Sequence, residues 1–266
     1  MKRILTAVLL LPVFIFVVVH ENPWFFTLFL AAVAVLTVNE IFDIAEATGF
    51  KPFRKLGLIL TLTFLASAVW PDDLHQEWII ALALFLLSLA TLRKGVRLED
   101  ALGAAASTFF AVFLVGFLLG YLVALKSTDP ERGKDLIFLL TVIVWAGDTS
   151  AYYVGKTFGK HKLAPRLSPK KTREGSLAYV AGSLVAAAIA SVTFIHRIQG
   201  MHVVALGLII SVVGQIGDLC ESAVKRGGDV KDSSSILPGH GGMFDRLDSL
   251  LFNAPVMYYY HQVLLQ

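Results

Sequence analysis

Along this chain, long apolar runs alternate with short polar stretches. Nine such runs fall near residues 4–20, 24–42, 56–70, 78–92, 104–125, 135–154, 177–195, 202–218 and 249–265. A bilayer core of about 30 Å takes roughly 20 helical residues at about 1.5 Å each, whereas a barrel strand needs only about 10. The runs therefore predict transmembrane helices, because a helix satisfies its backbone polar groups within one segment. The expected fold is all-α and polytopic, with about nine spans. Residues 1–130 form the first five, and residues 131–266 form a catalytic region with polar loops at 155–174 and 219–248.

Composition agrees. Of the 266 residues, 56% are hydrophobic and 16% charged, and the mean hydropathy is +0.70, which excludes an ordinary soluble domain. The opening MKRILTAVLLLPVFIFVVVH is basic then apolar, like a signal peptide, but ENPWFF follows with no small-x-small cleavage site. It reads as a retained first span. The single cysteine, Cys220, excludes an intramolecular disulfide.

The net charge of +3 matters less than where the bases lie. With the N-terminus in the cytoplasm, alternate loops collect the Lys and Arg, leaving Lys126, Arg132, Lys134 and Arg197 outside. That is the positive-inside pattern, and it predicts a multi-pass protein of the inner (cytoplasmic) membrane. Spans two, six and eight then run inward. They place Glu40, Asp148 and Asp218 near their cytoplasmic ends, where an ionised carboxylate costs about 2.5–3.5 kcal/mol on insertion scales unless a polar cavity receives it.

The stretch from Gly217 to Ser249, GDLCESAVKRGGDVKDSSSILPGHGGMFDRLDS, is richer than a connector needs to be. Asp245 and Asp248, three apart, share a face if helical and are close enough to hold one cation; Mg²⁺ suits one or two carboxylates completed by phosphate and water. Lys225, Arg226, Lys231 and Arg246 are phosphate-binding types, and the Gly-rich turn around His240 lets backbone N–H groups approach a ligand. Upstream, Ser168-Pro169-Lys170-Lys171-Thr172 packs hydroxyls and ammoniums around a rigid proline, a second phosphate grip. There is no internal repeat, Walker A sequence, GxSxG elbow or zinc spacing, and no nucleic-acid partner is expected.

Ser222-x-x-Lys225-Arg226, Lys231-Asp232 and Pro238-x-His240-Gly241-Gly242-x-x-Asp245-Arg246-x-Asp248 resemble the signature of the phosphatidate cytidylyltransferase family. Asp148, Ala151-Tyr152, Gly155, Phe158-Gly159-Lys160 and Ser168 through Gly175 are similar to the same family's preceding region. The resemblance implies an integral membrane enzyme that makes CDP-diacylglycerol and pyrophosphate from CTP and phosphatidic acid with a divalent cation. On that footing Asp218, Asp245 and Asp248 are expected to hold one or two cations. Lys170, Lys171, Lys225, Arg226 and Arg246 neutralise phosphates, with Ser168, Thr172, Ser222, Lys231, His240, Gly241, Gly242 and Asp148 on the substrate side.

Two other readings compete. A CDP-alcohol phosphotransferase needs a second aspartate pair, and here Asp248 leads straight into LLFNAPV. An ion-coupled transporter places its acids near the midplane, often in repeated halves. Finally, Gly116 and Gly120 on span five and the small residues of span seven predict close helix packing, including a homodimer contact.

Overall fold

The computed structural model describes residues 2–265 apart from Asp129, His196, Arg197, Gln199, Pro238 and His240. The helices are α1 (Lys2–Val19), α2 (Pro23–Ala47), α3 (Arg54–Val69), α4 (Gln76–Thr91), α5 (Leu98–Val112), α6 (Leu118–Thr128), α7 (Pro130–Phe158), α8 (Arg173–Thr193), α9 (Gly200–Gly227) and α10 (Phe244–Leu264). A π-helical turn, Phe113–Phe117, joins α5 to α6 without a break. Every expected apolar run lies on a helix. Among the described residues, five segments are long and apolar enough to cross a membrane: Pro23–Ala47, Leu98–Ser127, Arg132–Phe158, Arg173–Thr193 and Gly200–Gly227. The other four runs lie on α1, α3, α4 and α10; α3 and α4 have only 16 residues each.

Local chemistry sets the helix ends and admits polar residues within the spans. Asn22 accepts the Trp24 N–H in front of α2, with Pro23 at the first helical position. Buried Thr37, Thr61, Thr108 and Thr141 return their hydroxyls to the carbonyl four residues back, so these four donors are satisfied within their own helices.

The chain forms two compact units, one of Met1–Pro130 with Val224–Arg246 and one of Glu131–Ala223 with Leu247–Gln266. Val224–Arg246, expected to belong with residues 131–266, folds with the first unit. In the first unit α3, α4 and α5 bury Leu60, Phe64, Ile79, Ala83, Leu87 and Val112 together. Gly116 and Gly120 are used inside this unit. A Cβ at Gly116 would lie 2.9 Å from the Thr61 Cα, and one at Gly120 3.5 Å from the Phe64 carbonyl, so the close helix packing expected at these glycines is made with α3 of the same unit.

Both polar loops are more ordered than the sequence suggests. Within 155–174 lies an antiparallel hairpin, β1 (Lys162–Ala164) with β2 (Ser168–Thr172), pairing Lys162 with Thr172 and Ala164 with Ser168. The Gly217–Ser249 stretch is largely helix, because α9 runs on to Gly227 and α10 starts at Phe244. Acids and bases at a helix's aqueous end do not stop it. The stop comes after Gly227, where Asp229 turns to φ 54° and the Val230 N–H returns to the Lys225 carbonyl.

Candidate active site

In the second unit a cavity of about 600 Å³ opens between α7, the hairpin, α8 and α9. Asp148, Tyr152 and Lys156 line it from α7, Lys162, Lys170 and Lys171 from the hairpin, and Asp218 from α9. Four lysines around one hollow make a receptor for a multiply charged anion. One of them, Lys171, already meets an acid, its Nζ 2.5 Å from Asp218.

The hairpin is held to the helices from both ends. Thr172 caps α8 by accepting the Gly175 N–H, and Glu174 reaches back to accept the N–H groups of Lys160 and His161 and to meet His161 Nδ1 at 2.6 Å. Close approach needs the glycines: a Cβ at Gly159 would lie 2.2 Å from the Gly155 carbonyl, and one at Gly175 2.9 Å from the Ala151 carbonyl. The motif glycines thus seat the lysine-bearing strands against α7.

Beside the cavity, Asp218, Glu221 and Asp248 each offer a carboxylate oxygen, all within 4.8 Å of one another. Asp218 and Glu221 stand one turn apart on α9, and Asp248 comes from α10. These two helices are zipped together by small residues and polar side chains. A Cβ at Gly217 would lie 2.7 Å from the Asp248 carbonyl; Ser249 Oγ donates to the Gly214 carbonyl and Asn253 Nδ2 to the Ile210 carbonyl. Such a group of hard oxygen donors suits a divalent cation that also binds phosphate.

The expected pairing of Asp245 with Asp248 on one cation is not what the structure places there. In the first unit Asp245 Oδ1 lies 2.5 Å from Lys225 Nζ. Its Oδ2 accepts the N–H of Gly242 at 2.7 Å and of Ser233 at 3.0 Å. Asp245 stands in the first turn of α10, where it faces the preceding loop, and Glu221 is the third acid beside Asp218 and Asp248. Burial pushes the Asp245 carboxyl up, but the Lys225 hydrogen bond and the N–H donors outweigh it, leaving it below the usual aspartate value.

Among the other expected residues, Asp148, Lys170, Lys171, Thr172 and Asp218 meet around the cavity. Ser168 starts β2 at the hairpin turn, Ser222 is buried on α9, and Lys231 and Arg246 are exposed. Arg226, also exposed, donates to the Val230 carbonyl. Gly241 takes φ +81° to pass Asp245, and His240 lies outside the described residues. Glu221, Lys156 and Lys162 were missed from the sequence. Glu221 was within reach, because Asp218-x-x-Glu221 has the same spacing that singled out Asp245 and Asp248.

Comparison with known proteins places these features in a family context. The sequence model of the cytidylyltransferase family matches residues 1–264. The chain is 36% identical over 264 residues to the phosphatidate cytidylyltransferase of Bacillus subtilis (strain 168), covering 97% of this chain and 96% of that one. It is 32% identical over 290 residues to the protein of that name from Synechocystis sp. (99% and 97% covered), and 31% identical over 285 residues to that from Haemophilus influenzae (98% and 98%).

Proposed function

The chain belongs to the cytidylyltransferase family, and from that premise we propose how its own residues carry out the transfer. The enzyme takes CTP and phosphatidic acid and makes CDP-diacylglycerol and pyrophosphate in the membrane. An oxygen of the lipid phosphate attacks the α-phosphorus of CTP. A new P–O bond forms there, the bond from the α-phosphorus to the β-bridging oxygen breaks, and pyrophosphate leaves with that electron pair. The attacking phosphate is already ionised at neutral pH, so no general base is needed. The protein must instead bring two anions together in line and neutralise them.

Lys156, Lys162, Lys170 and Lys171 supply that neutralising charge around the cavity, and its placement against Asp218 is the observation that carries this reading. Asp218, Glu221 and Asp248 fit a Mg²⁺ site by donor type and spacing. A divalent cation held by these three carboxylates would supply positive charge to offset that of the leaving pyrophosphate. Asp148 and Thr172 shape the cavity wall, and Arg226, Lys231 and Arg246 are exposed bases of the 226–246 segment, a type suited to phosphate. Asp245 serves by fixing Lys225 and the loop behind it.

The site faces the cytoplasm, the side that holds CTP, in the inner membrane; the distribution of Lys and Arg supports this orientation. A homodimer would use the small and apolar positions that α8 leaves exposed, Ala181, Val185, Ala188 and Val192. Neither a CDP-alcohol phosphotransferase nor a transporter finds support in the family match. The test is incubation of purified protein in detergent with phosphatidic acid, Mg²⁺ and labelled CTP. Label should enter a lipid product with release of pyrophosphate, and EDTA should stop it; release of CMP, or no lipid product, would overturn the reading.

A further inference from the structure

One buried acid has no part in the transfer chemistry as derived. Glu40, near the end of the α2 span, is 3% exposed. Four donors converge on its carboxylate. Oε1 accepts from Ser234 Oγ at 2.6 Å and the Met243 N–H at 2.9 Å; Oε2 accepts from Ser233 Oγ and the Phe244 N–H, both at 2.8 Å. Met243 and Phe244 head α10, so the acid rests on the positive end of a helix. Gly242 is bare to make room, since a Cβ there would lie 2.0 Å from Ser233 Oγ and 2.5 Å from Glu40 Oε2. The same Ser233 donates its N–H to Asp245, which holds Lys225. A continuous set of contacts therefore runs from Glu40 through the loop to a basic residue of the signature.

We propose that Glu40 is a positioning residue for the transfer reaction, holding Ser233, Ser234, Met243 and Phe244, and through Ser233 also Asp245, in the arrangement that fixes Lys225. This rests on the transferase reading above. The arrangement requires an acceptor at both oxygens. In Glu40→Gln, whichever way the amide turns, its NH₂ meets a backbone N–H of Met243 or Phe244 and a serine hydroxyl, so shape is kept while the anchor is broken.

The test uses the full-length protein in detergent, with CTP, phosphatidic acid and Mg²⁺. Glu40→Gln should lower kcat/KM for CTP by about tenfold or more, while Tm stays close to that of the parent protein. Amide hydrogen exchange should quicken in 233–244 and not across α3 to α6. Adding Ser234→Ala to Glu40→Gln should cost little further activity, because both remove the same anchor. Parental turnover in Glu40→Gln overturns the proposal, and so does an additive double mutant. Exchange that rises throughout α2 to α6, with activity lost in step with the folded fraction, shows a packing role alone and also overturns it. Should Glu40→Gln not fold, Ser234→Ala and Gly242→Ala probe the same cluster, and each must slow turnover with exchange confined to the loop. If the parent protein makes no CDP-diacylglycerol, the transferase reading falls, and the exchange comparison still decides whether Glu40 anchors the loop.

Discussion

Asp218 and Glu221 stand one turn apart on α9 and Asp248 reaches them from α10, so the three carboxylates repel one another unless positive charge lies between them. Lys171 supplies part of that charge at 2.5 Å from Asp218. Asp218→Asn or Asp248→Asn should lower kcat by about a hundredfold or more at unchanged folding, as loss of a charge-stabilising group does. Glu221→Gln should weaken Mg²⁺ binding, read as a higher metal concentration for half-maximal turnover. Asp245 behaves differently, because its partners are Lys225 and backbone N–H groups. Its carboxyl lies below the ordinary aspartate value near 4, so its contribution to stability is fully present above that value and is lost as the pH falls through the lowered one. Proteolysis of the 228–243 loop should quicken only below about pH 4 in the parent protein, and Asp245→Asn should make it fast at every pH. The spacing that marked Asp245 and Asp248 was legible in the sequence. The side to which each turns was not, because it depends on a loop that supplies N–H groups to one and on a neighbouring helix that receives the other.

At the scale of elements, the contact of α9 with α10 decides whether the acids converge. A Cβ at Gly217 would strike the Asp248 backbone carbonyl at 2.7 Å and the Phe252 ring at 2.8 Å, and backbone cannot swing aside. Gly217→Ala should destabilise the protein by about 1–3 kcal/mol and reduce activity, because the helices must separate. Gly227→Ala meets nothing within 4 Å and should change neither Tm nor turnover, which makes it the matched control. The helices themselves were plain from their apolar runs, since a bilayer imposes a length that a sequence displays. The β1–β2 hairpin was not. Its strands have three and five residues, too few for a period, and its register comes from Thr172 and Glu174 at the start of α8.

For the whole molecule, a polytopic membrane architecture follows from composition and is carried by five helices of full spanning character. The division into units was harder to read. Val224–Arg246 belongs with residues 1–130 because Glu40 binds Ser233, Ser234, Met243 and Phe244 far along the chain, and no local pattern announces such a partnership. The proposed sidedness rests on the distribution of the bases and can be tested. The hairpin exposes Lys162, Arg166 and Lys170, so trypsin should cut between residues 162 and 173 in inverted membrane vesicles and leave that segment intact in spheroplasts. Cleavage between residues 162 and 173 in spheroplasts would reverse the orientation.

Glu40 and Ser234 are 194 residues apart. A ribosome adding about 5–20 residues per second leaves the acid without those serines for roughly 10–40 s after it has emerged. Throughout that interval the carboxylate must stay at the aqueous surface, which keeps the α2 end from sinking deeper into the lipid. Newly made chains that stop short of Ser233 never gain the anchor, and they present quality-control proteases with a span that still carries an exposed acid.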